Sequence, residues 1–285
     1  NGVAAPITTF TERNKRVNSV YGTATLSYAN KIFLDVTGRN DWSSTLPSGN
    51  NSFFYPSVST SFILSDLLRL PEQISFAKLR ASWAQVGNDT APYKTAKYYN
   101  TSAFPGSASV SPTLYNARFK PEISNSIEVG LDWRMFKQRF GLDLAFYNNI
   151  TRNQILDVPM DQTTGYTKAT MNSGKVRNRG IELQLDGTPV KTKNFTWNST
   201  FTWAKNYNKV LSLAAGLTDG QTIAYTGGTN CALIAKVGGS IGDIYGYKLK
   251  RAPDGQVVWK DGITARTTEF EYVGNAYPAW KAGFS

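Results

Sequence analysis

Three carboxylates in one region are the first residues of this 285-residue chain whose types could support chemistry. Glu128, Asp132 and Asp143 resemble the acid and base of a glycosidase, but the sequence does not define the separation of their carboxyl groups. They are also expected as ordinary polar residues of a strand. The chain has no histidine, the commonest general base and metal ligand. Its single cysteine, Cys231, has no partner for a disulfide or metal site. We therefore predict that the protein is not an enzyme, and we expect no metal and no cofactor.

Aromatic side chains in two long polar segments are better candidates, and the chemistry that they suit is binding. The predicted substrate-binding residues are Trp42, Tyr93, Tyr98, Tyr99 and Tyr115. Aromatic faces stack on sugar rings or clamp peptides, and tyrosine adds a hydroxyl group. The alternative is that these rings pack within their own loop or against a partner protein. Loops of this kind need a rigid scaffold to hold them.

Alternating apolar and polar residues predict the strands of that scaffold. In the hairpin 126–149, one strand places apolar residues on one face and charged residues on the other. The apolar residues are Ile127, Val129, Leu131 and Trp133, and the charged residues are Glu128, Asp132 and Arg134. Similar patterns predict about eight strands, many near the ~9–11 residues that a tilted membrane strand requires. Each strand therefore has an apolar face and a polar face.

The lengths of the links between strands alternate as well. The short links are 29–31, 65–75, 135–138 and 188–194, and the long links are 40–54, 87–125, 150–174 and 211–231. A transmembrane β-barrel has short turns at one rim and long loops at the other. A soluble β-sandwich explains the alternating residues but not the alternating links.

Two further features favour a membrane barrel. Full charges lie in the middle of the polar faces, as a wet lumen permits. Aromatic residues lie at the ends of the apolar stripes, as in an interfacial girdle. They are Tyr28, Trp133, Phe140, Phe195 and Trp197. The fold class that we predict is an all-β, antiparallel transmembrane β-barrel.

Composition agrees with this prediction and bears on the binding partners. The mean hydropathy is −0.34, and no apolar run approaches the ~18 residues of a membrane helix. The formal charge of +11 is spread over turns, loops and polar faces, which argues against nucleic acid. A basic outer surface contacting lipopolysaccharide phosphates and a lumen favouring anionic solutes both remain open.

A series of motifs carries a family resemblance. The motifs are NSVYG at residues 18–22, RNDWSS at 39–44, FYPSVS at 54–59, LRASW at 79–83, FKPEIS at 119–124, EVGLD at 128–132 and NSGKVRNRGIE at 172–182. In this order they resemble the barrel of the SusC/RagA-type TonB-dependent outer-membrane transporters of the Bacteroidetes. The resemblance covers nearly the whole chain.

The resemblance implies an architecture and a function. Such transporters have a 22-stranded barrel with short periplasmic turns and long extracellular loops, a plug, and a TonB-binding segment. A SusD-like surface lipoprotein covers the barrel, and together they import oligosaccharides or peptides. We expect residues 1–285 to be a portion of that barrel, without the plug, the TonB-binding segment or the final strands. The expected partners are a SusD-like lipoprotein, TonB, outer-membrane lipid and lipopolysaccharide, and substrate. The alternative is a secreted, soluble all-β binding or adhesin domain.

Overall fold

The computed structural model describes residues 12–101, 106–213, 220–226 and 230–285. The first strands are β1 Val17–Tyr28, β2 Ile32–Ser43, β3 Ser52–Ile63, β4 Ile74–Asn88, β5 Tyr99–Thr101, β6 Ala108–Val110, β7 Thr113–Leu114, β8 Glu122–Met135, β9 Phe140–Arg152 and β10 Ile155–Pro159. The remaining strands are β11 Lys168–Asn172, β12 Lys175–Lys191, β13 Thr196–Ser212, β14 Gln221–Thr226, β15 Cys231–Ala235, β16 Asp243–Gly246, β17 Trp259–Lys260, β18 Ile263–Thr264, β19 Glu271–Asn275 and β20 Lys281–Phe284. One short helix, α1 Leu64–Leu67, and one 3-10 turn, Gln162–Thr164, interrupt them. Among the described residues, no helix is both long and apolar enough to cross a membrane.

Nine strands form one antiparallel sheet in the order β1-β2-β3-β4-β8-β9-β12-β13-β20. Each of the first seven strands in this order pairs with the next long strand along the chain, and β13 pairs with the short β20, so the sheet is a meander. The eight strands from β1 to β13 are 12–17 residues long. A tilted strand of about 9–11 residues already spans a bilayer, so all eight are long enough.

The register of the sheet confirms that the strands have two different faces. Leu79 pairs with Leu131, which pairs with Leu144, then Leu183, then Trp203. This ladder crosses five strands on one face. Residues one position away along each strand lie on the opposite face, because side chains alternate with period two. We call the two sides the apolar face and the polar face.

The charged residues of the polar face are joined in ion pairs. Arg80 donates two hydrogen bonds to Asp143, at 3.0 and 2.8 Å, and its Nε lies 3.9 Å from Glu128. Gly130 lies between them, and a Cβ there would come within 2.3 Å of Arg80 Nε. The glycine therefore lets the guanidinium lie flat against the backbone of β8. The carboxylates Glu128 and Asp143 are thus salt-bridge partners of an arginine.

A second arginine repeats this arrangement nearer the short links. Arg134 Nε lies 2.8 Å from Asp132, and its Nη1 lies 3.3 Å from Asp186. A Cβ at Gly141 would come within 2.3 Å of Arg134 Nη1. Charge in the middle of the sheet is therefore balanced locally.

The predicted links are confirmed except for one. Short links occur after β1, β3, β8 and β12, and the second of them contains α1. Long links follow β2, β4 and β9, as predicted. The fourth long link does not end at Cys231. It runs from β13 to β20, because Cys231–Ala235 pairs within a separate four-stranded sheet, β14-β15-β16-β19. We call the two ends of the nine-stranded sheet the short-link rim and the long-link rim.

Candidate functional site

A cleft of about 740 Å³ lies at the long-link rim. It is built from the link after β4, from Thr113 of β7, from Asp157 of β10 and from Lys168 of β11. β7 pairs with β11, and β11 with β10, so one small sheet positions three of the lining residues. The cleft therefore rests on hydrogen-bonded backbone rather than on loose loops alone.

Three of the five predicted binding residues line this cleft. They are Tyr93, Tyr98 and Tyr115. Their exposed fractions, 53%, 44% and 39%, leave ring surface free for a ligand. Tyr93 has a left-handed backbone (φ 66°), and its hydroxyl accepts a hydrogen bond of 3.2 Å from the N–H of Asn14. The loop thus holds this ring in place with a specific contact.

The other two predicted residues lie elsewhere. Trp42 pairs with Asn18 and Ser52 on the apolar face of the sheet. Tyr99 begins the β5-β6 hairpin, where Lys97 Nζ lies 5.5 Å from its ring centre. Neither lines the cleft.

Charged residues of the cleft form a compact group that sequence reasoning missed. Asp157 lies 2.8 Å from Lys168 Nζ and 3.3 Å from Lys94 Nζ, and it accepts a hydrogen bond from Thr170. Burial raises the pKa of Asp157, but the hydrogen bonds from Lys168 and Thr170 and the charge of Lys94 outweigh it and lower the pKa to about 2. Two lysines therefore share one carboxylate, so this group has a net positive charge beside the tyrosines. Residues 94, 157 and 168 are far apart in sequence, and only the strand pairing brings them together.

Lowering the pH is expected to loosen this group. The folded pKa of Asp157 is below the unfolded value of 3.8, so its stabilisation is complete above pH 3.8 and is lost as pH falls through about 2. The loss is about 1 kcal/mol after allowance for solvent screening of a partly exposed group. Hydrogen exchange of β10 and β11 amides, corrected for intrinsic rates, should rise between pH 5 and pH 2. Asp157→Asn should remove this pH dependence and Asp254→Asn, in a distant loop, should keep it; an unchanged Asp157→Asn profile would refute the assignment.

Hydrogen bonds fasten the cleft to the large sheet. The side chain of Asn172 accepts from the N–H of Lys120 at 2.9 Å and donates to the Lys120 carbonyl at 2.8 Å. Glu122, the first residue of β8, accepts from the N–H of Ile155 at 2.5 Å. These bonds join the second and third long links to one another.

A buried apolar cluster joins the long links of the same region. Phe119 is fully buried and packs with Leu46 and Phe53, and Tyr55 and Ile155 pack against them. The cluster joins three long links to β3. Gly87 completes it, because a Cβ there would come within 2.3 Å of the Phe53 ring.

The antiparallel meander, its apolar and polar faces and its unequal rims are features of the wall of an outer-membrane β-barrel. The family described as TonB dependent receptor-like, beta-barrel matches residues 1–283. The chain belongs to this family. The TonB-dependent receptor P26 of Formosa agariphila is 33% identical over 207 residues, which are 70% of this chain and 21% of that protein. The TonB-dependent receptor SusC of Bacteroides thetaiotaomicron is 25% identical over 230 residues, 73% of this chain and 22% of that protein.

Solved structures show the same fold. The RagAB peptide transporter superposes with a TM-score of 0.80 at 21% identity, and the match covers 95% of this chain and 31% of that chain. The RagAB peptide importer in its closed-closed state superposes with a TM-score of 0.78. The chain thus spans about a fifth to a third of the proteins that it matches.

These matches confirm the predicted fold class and location. The chain belongs to an outer-membrane β-barrel family of receptors and not to a family of enzymes. In such a barrel the apolar face is the outer face, toward lipid. The polar face lines the lumen, the short links are periplasmic and the long links are extracellular. The alternative of a secreted, soluble domain is therefore set aside. The cleft lies on the extracellular side.

Proposed function

We propose that the intact protein actively imports oligosaccharides or peptides across the outer membrane, driven through TonB and assisted by a SusD-like surface lipoprotein. The likeness to SusC and to the RagAB transporter supports this proposal. In this proposal, the chain is a portion of the barrel wall of that larger protein. The plug, the TonB-binding segment and the final strands belong to other parts of the same protein in this proposal.

The observation that carries the proposal is the extracellular cleft with Tyr93, Tyr98 and Tyr115. Three partly exposed rings can stack on sugar rings or hold the side chains of a peptide, and their hydroxyls can donate or accept hydrogen bonds. Lys94 and Lys168 add charge that can meet a carboxylate of an acidic sugar or a peptide terminus. The cleft contributes first contact with substrate before it enters the lumen.

Removing two of these rings is expected to weaken substrate retention. In the full-length transporter purified with its lipoprotein, Tyr98→Ala with Tyr115→Ala should lower the co-purifying oligosaccharide or peptide about tenfold, since aromatic contacts contribute about 0.5–1.5 kcal/mol each. Mass spectrometry measures the amount and shows which of the two substrate classes is bound.

Tyr99→Ala is the matched control, because Tyr99 is adjacent in sequence but outside the cleft. It should leave retention within about twofold of the wild-type value, the scatter usual for a surface substitution. Equal retention by the double variant and the wild type would remove the cleft from the substrate path. A complex that carries neither class of molecule, and a strain whose uptake is independent of this gene, would refute the import proposal itself.

A further inference from the structure

The outer face of three adjacent strands changes character at the extracellular rim. Over most of its area the face is apolar, but Arg152 at the end of β9, the first residues of β12 and the second half of β13 contribute basic residues. The basic residues are Arg152, Lys175, Arg177, Arg179, Lys205 and Lys209. In the register, Arg152 pairs with Lys175 and Arg177 with Lys209. The six cations are therefore neighbours on one surface.

This group is distinctive within the nine-stranded sheet. In the register of its described strands, the outer face carries these six basic residues and no aspartate or glutamate. None of the six forms an ion pair with another described residue. Their partners across β9 on this face are the neutral Asn148 and Ile150. Clustered positive charge without acidic partners at a membrane surface attracts anionic lipid headgroups.

Tyr207 and Arg177 give further detail. The Tyr207 ring lies 5.0 Å from Lys205 Nζ and 5.9 Å from the Arg179 guanidinium carbon, so one ring contacts two of the cations. Arg177 Nε is buried without a hydrogen-bond partner among the described residues. A phosphate outside the protein meets the other N–H groups of this guanidinium, whose planar fork suits bidentate contact.

An apolar groove continues from these cations toward the membrane interior. Ile127, Val129, Phe146 and Ile181 line it, and Arg179 and Tyr207 border it. The cations nearest the extracellular rim lie beyond this groove and match a lipid whose phosphates lie at the surface and whose acyl chains extend into the bilayer; they are Arg152, Lys175, Arg177 and Lys209.

We propose that this face binds the phosphorylated headgroup of lipopolysaccharide, with an acyl chain in the groove. Clusters of 4–8 Lys and Arg residues at a membrane surface bind anionic lipid headgroups. Three strands at about 4.8 Å spacing present a basic surface about 10 Å wide, which suits a glycolipid with several phosphates better than a single phosphodiester. The extracellular position selects the outer leaflet. The proposal depends on the outer-membrane location and is independent of the substrate.

The test uses the full-length transporter, delipidated in detergent and exposed to diphosphoryl lipid A, with binding counted by native mass spectrometry. Lys175→Gln with Lys209→Gln should lower lipid A retention about tenfold or more, since each basic residue contributes roughly fivefold at an anionic surface. Lys78→Gln with Lys281→Gln removes the same charge from the lumen face and should change retention less than about twofold, the scatter of a neutral site.

Separate arms identify the ligand. Wild-type protein should retain dephosphorylated lipid A and phosphatidylglycerol at least about tenfold more weakly than diphosphoryl lipid A, because either loses a phosphate contact. Inorganic phosphate should not compete at millimolar concentration. Equal retention of phosphatidylglycerol, equal retention of dephosphorylated lipid A, competition by free phosphate, or equal losses in the outer-face and lumen variants would each overturn the proposal. The wild-type arms stand even if a variant fails to assemble.

Discussion

Replacing Phe119 by alanine is expected to destabilise the extracellular loops by about 3–5 kcal/mol, the range for truncating a buried phenylalanine. Phe119 is 0% exposed and forms a buried cluster with Leu46 and Phe53, against which Ile155 packs. These residues come from three different long links and β3, so one truncation loosens all of them. The barrel wall itself should remain intact, because its stability comes from the strand pairing.

Hydrogen exchange measures this effect segment by segment. Protection of amides in β10 and β11 should fall at least about a hundredfold, the equivalent of about 3 kcal/mol of local opening. Amides in the middle of β8 and β9 should be unchanged. The matched control is Phe136→Ala, because Phe136 is 53% exposed in a short periplasmic link. Undisturbed loops in the Phe119→Ala protein would show that the cluster does not hold them.

Placing arginine at Leu183 is expected to destabilise the folded barrel by about 2–4 kcal/mol, the range for a cation on the lipid face at the bilayer midplane. Leu183 is in the middle of β12 and lies between Leu144 and Trp203 on the outer face. No described acidic residue of that face can pair with the new charge. Leu144→Arg should behave in the same way.

The neighbouring residue supplies the control. Gln184 faces the lumen and donates to Asp186 at 3.1 Å, so Gln184→Arg places the same charge beside an existing carboxylate. Urea unfolding of the full-length protein in lipid vesicles, followed by tryptophan fluorescence, compares the two. A Gln184→Arg protein as unstable as the Leu183→Arg protein would contradict the assignment of the faces.

The strands and their faces could be predicted from the sequence because the lipid imposes a strict rule on alternate residues. Leu131 and Asp132 are adjacent, and the bilayer and the lumen select their opposite characters. The extracellular loops lie outside the bilayer, so lipid does not select alternate apolar residues in them. Cys231–Ala235 is a short apolar run without alternation, and its Ala232 and Ala235 are buried within the loop structure. Such a run cannot be told from a barrel strand by pattern alone.

The candidate site shows the same limit at single residues. The tyrosines were predicted to bind substrate from their residue type, but residue type does not determine the direction in which a ring points. Tyr98 lines the cleft and Tyr99 does not, although they are adjacent, because Tyr99 enters a strand of the β5-β6 hairpin. The ion-paired Asp157 was missed because its lysines are brought to it by the pairing of β10 with β11 and by a loop fold.

The link between β13 and β20 affects how the wall can assemble. The two strands pair directly although residues 213–280 separate them. The entropic cost of closing an unstructured loop grows with its length, and pairing across long separations slows folding. Here the link folds back at once: the N–H of Val210 donates to the Gly239 carbonyl at 2.8 Å, and the side chains of Ser173 and Gln221 bond at 2.6 Å. These contacts divide the closure of one long loop into the closure of several shorter loops. A large extracellular insertion can therefore be accommodated between β13 and β20 without preventing the two strands from pairing.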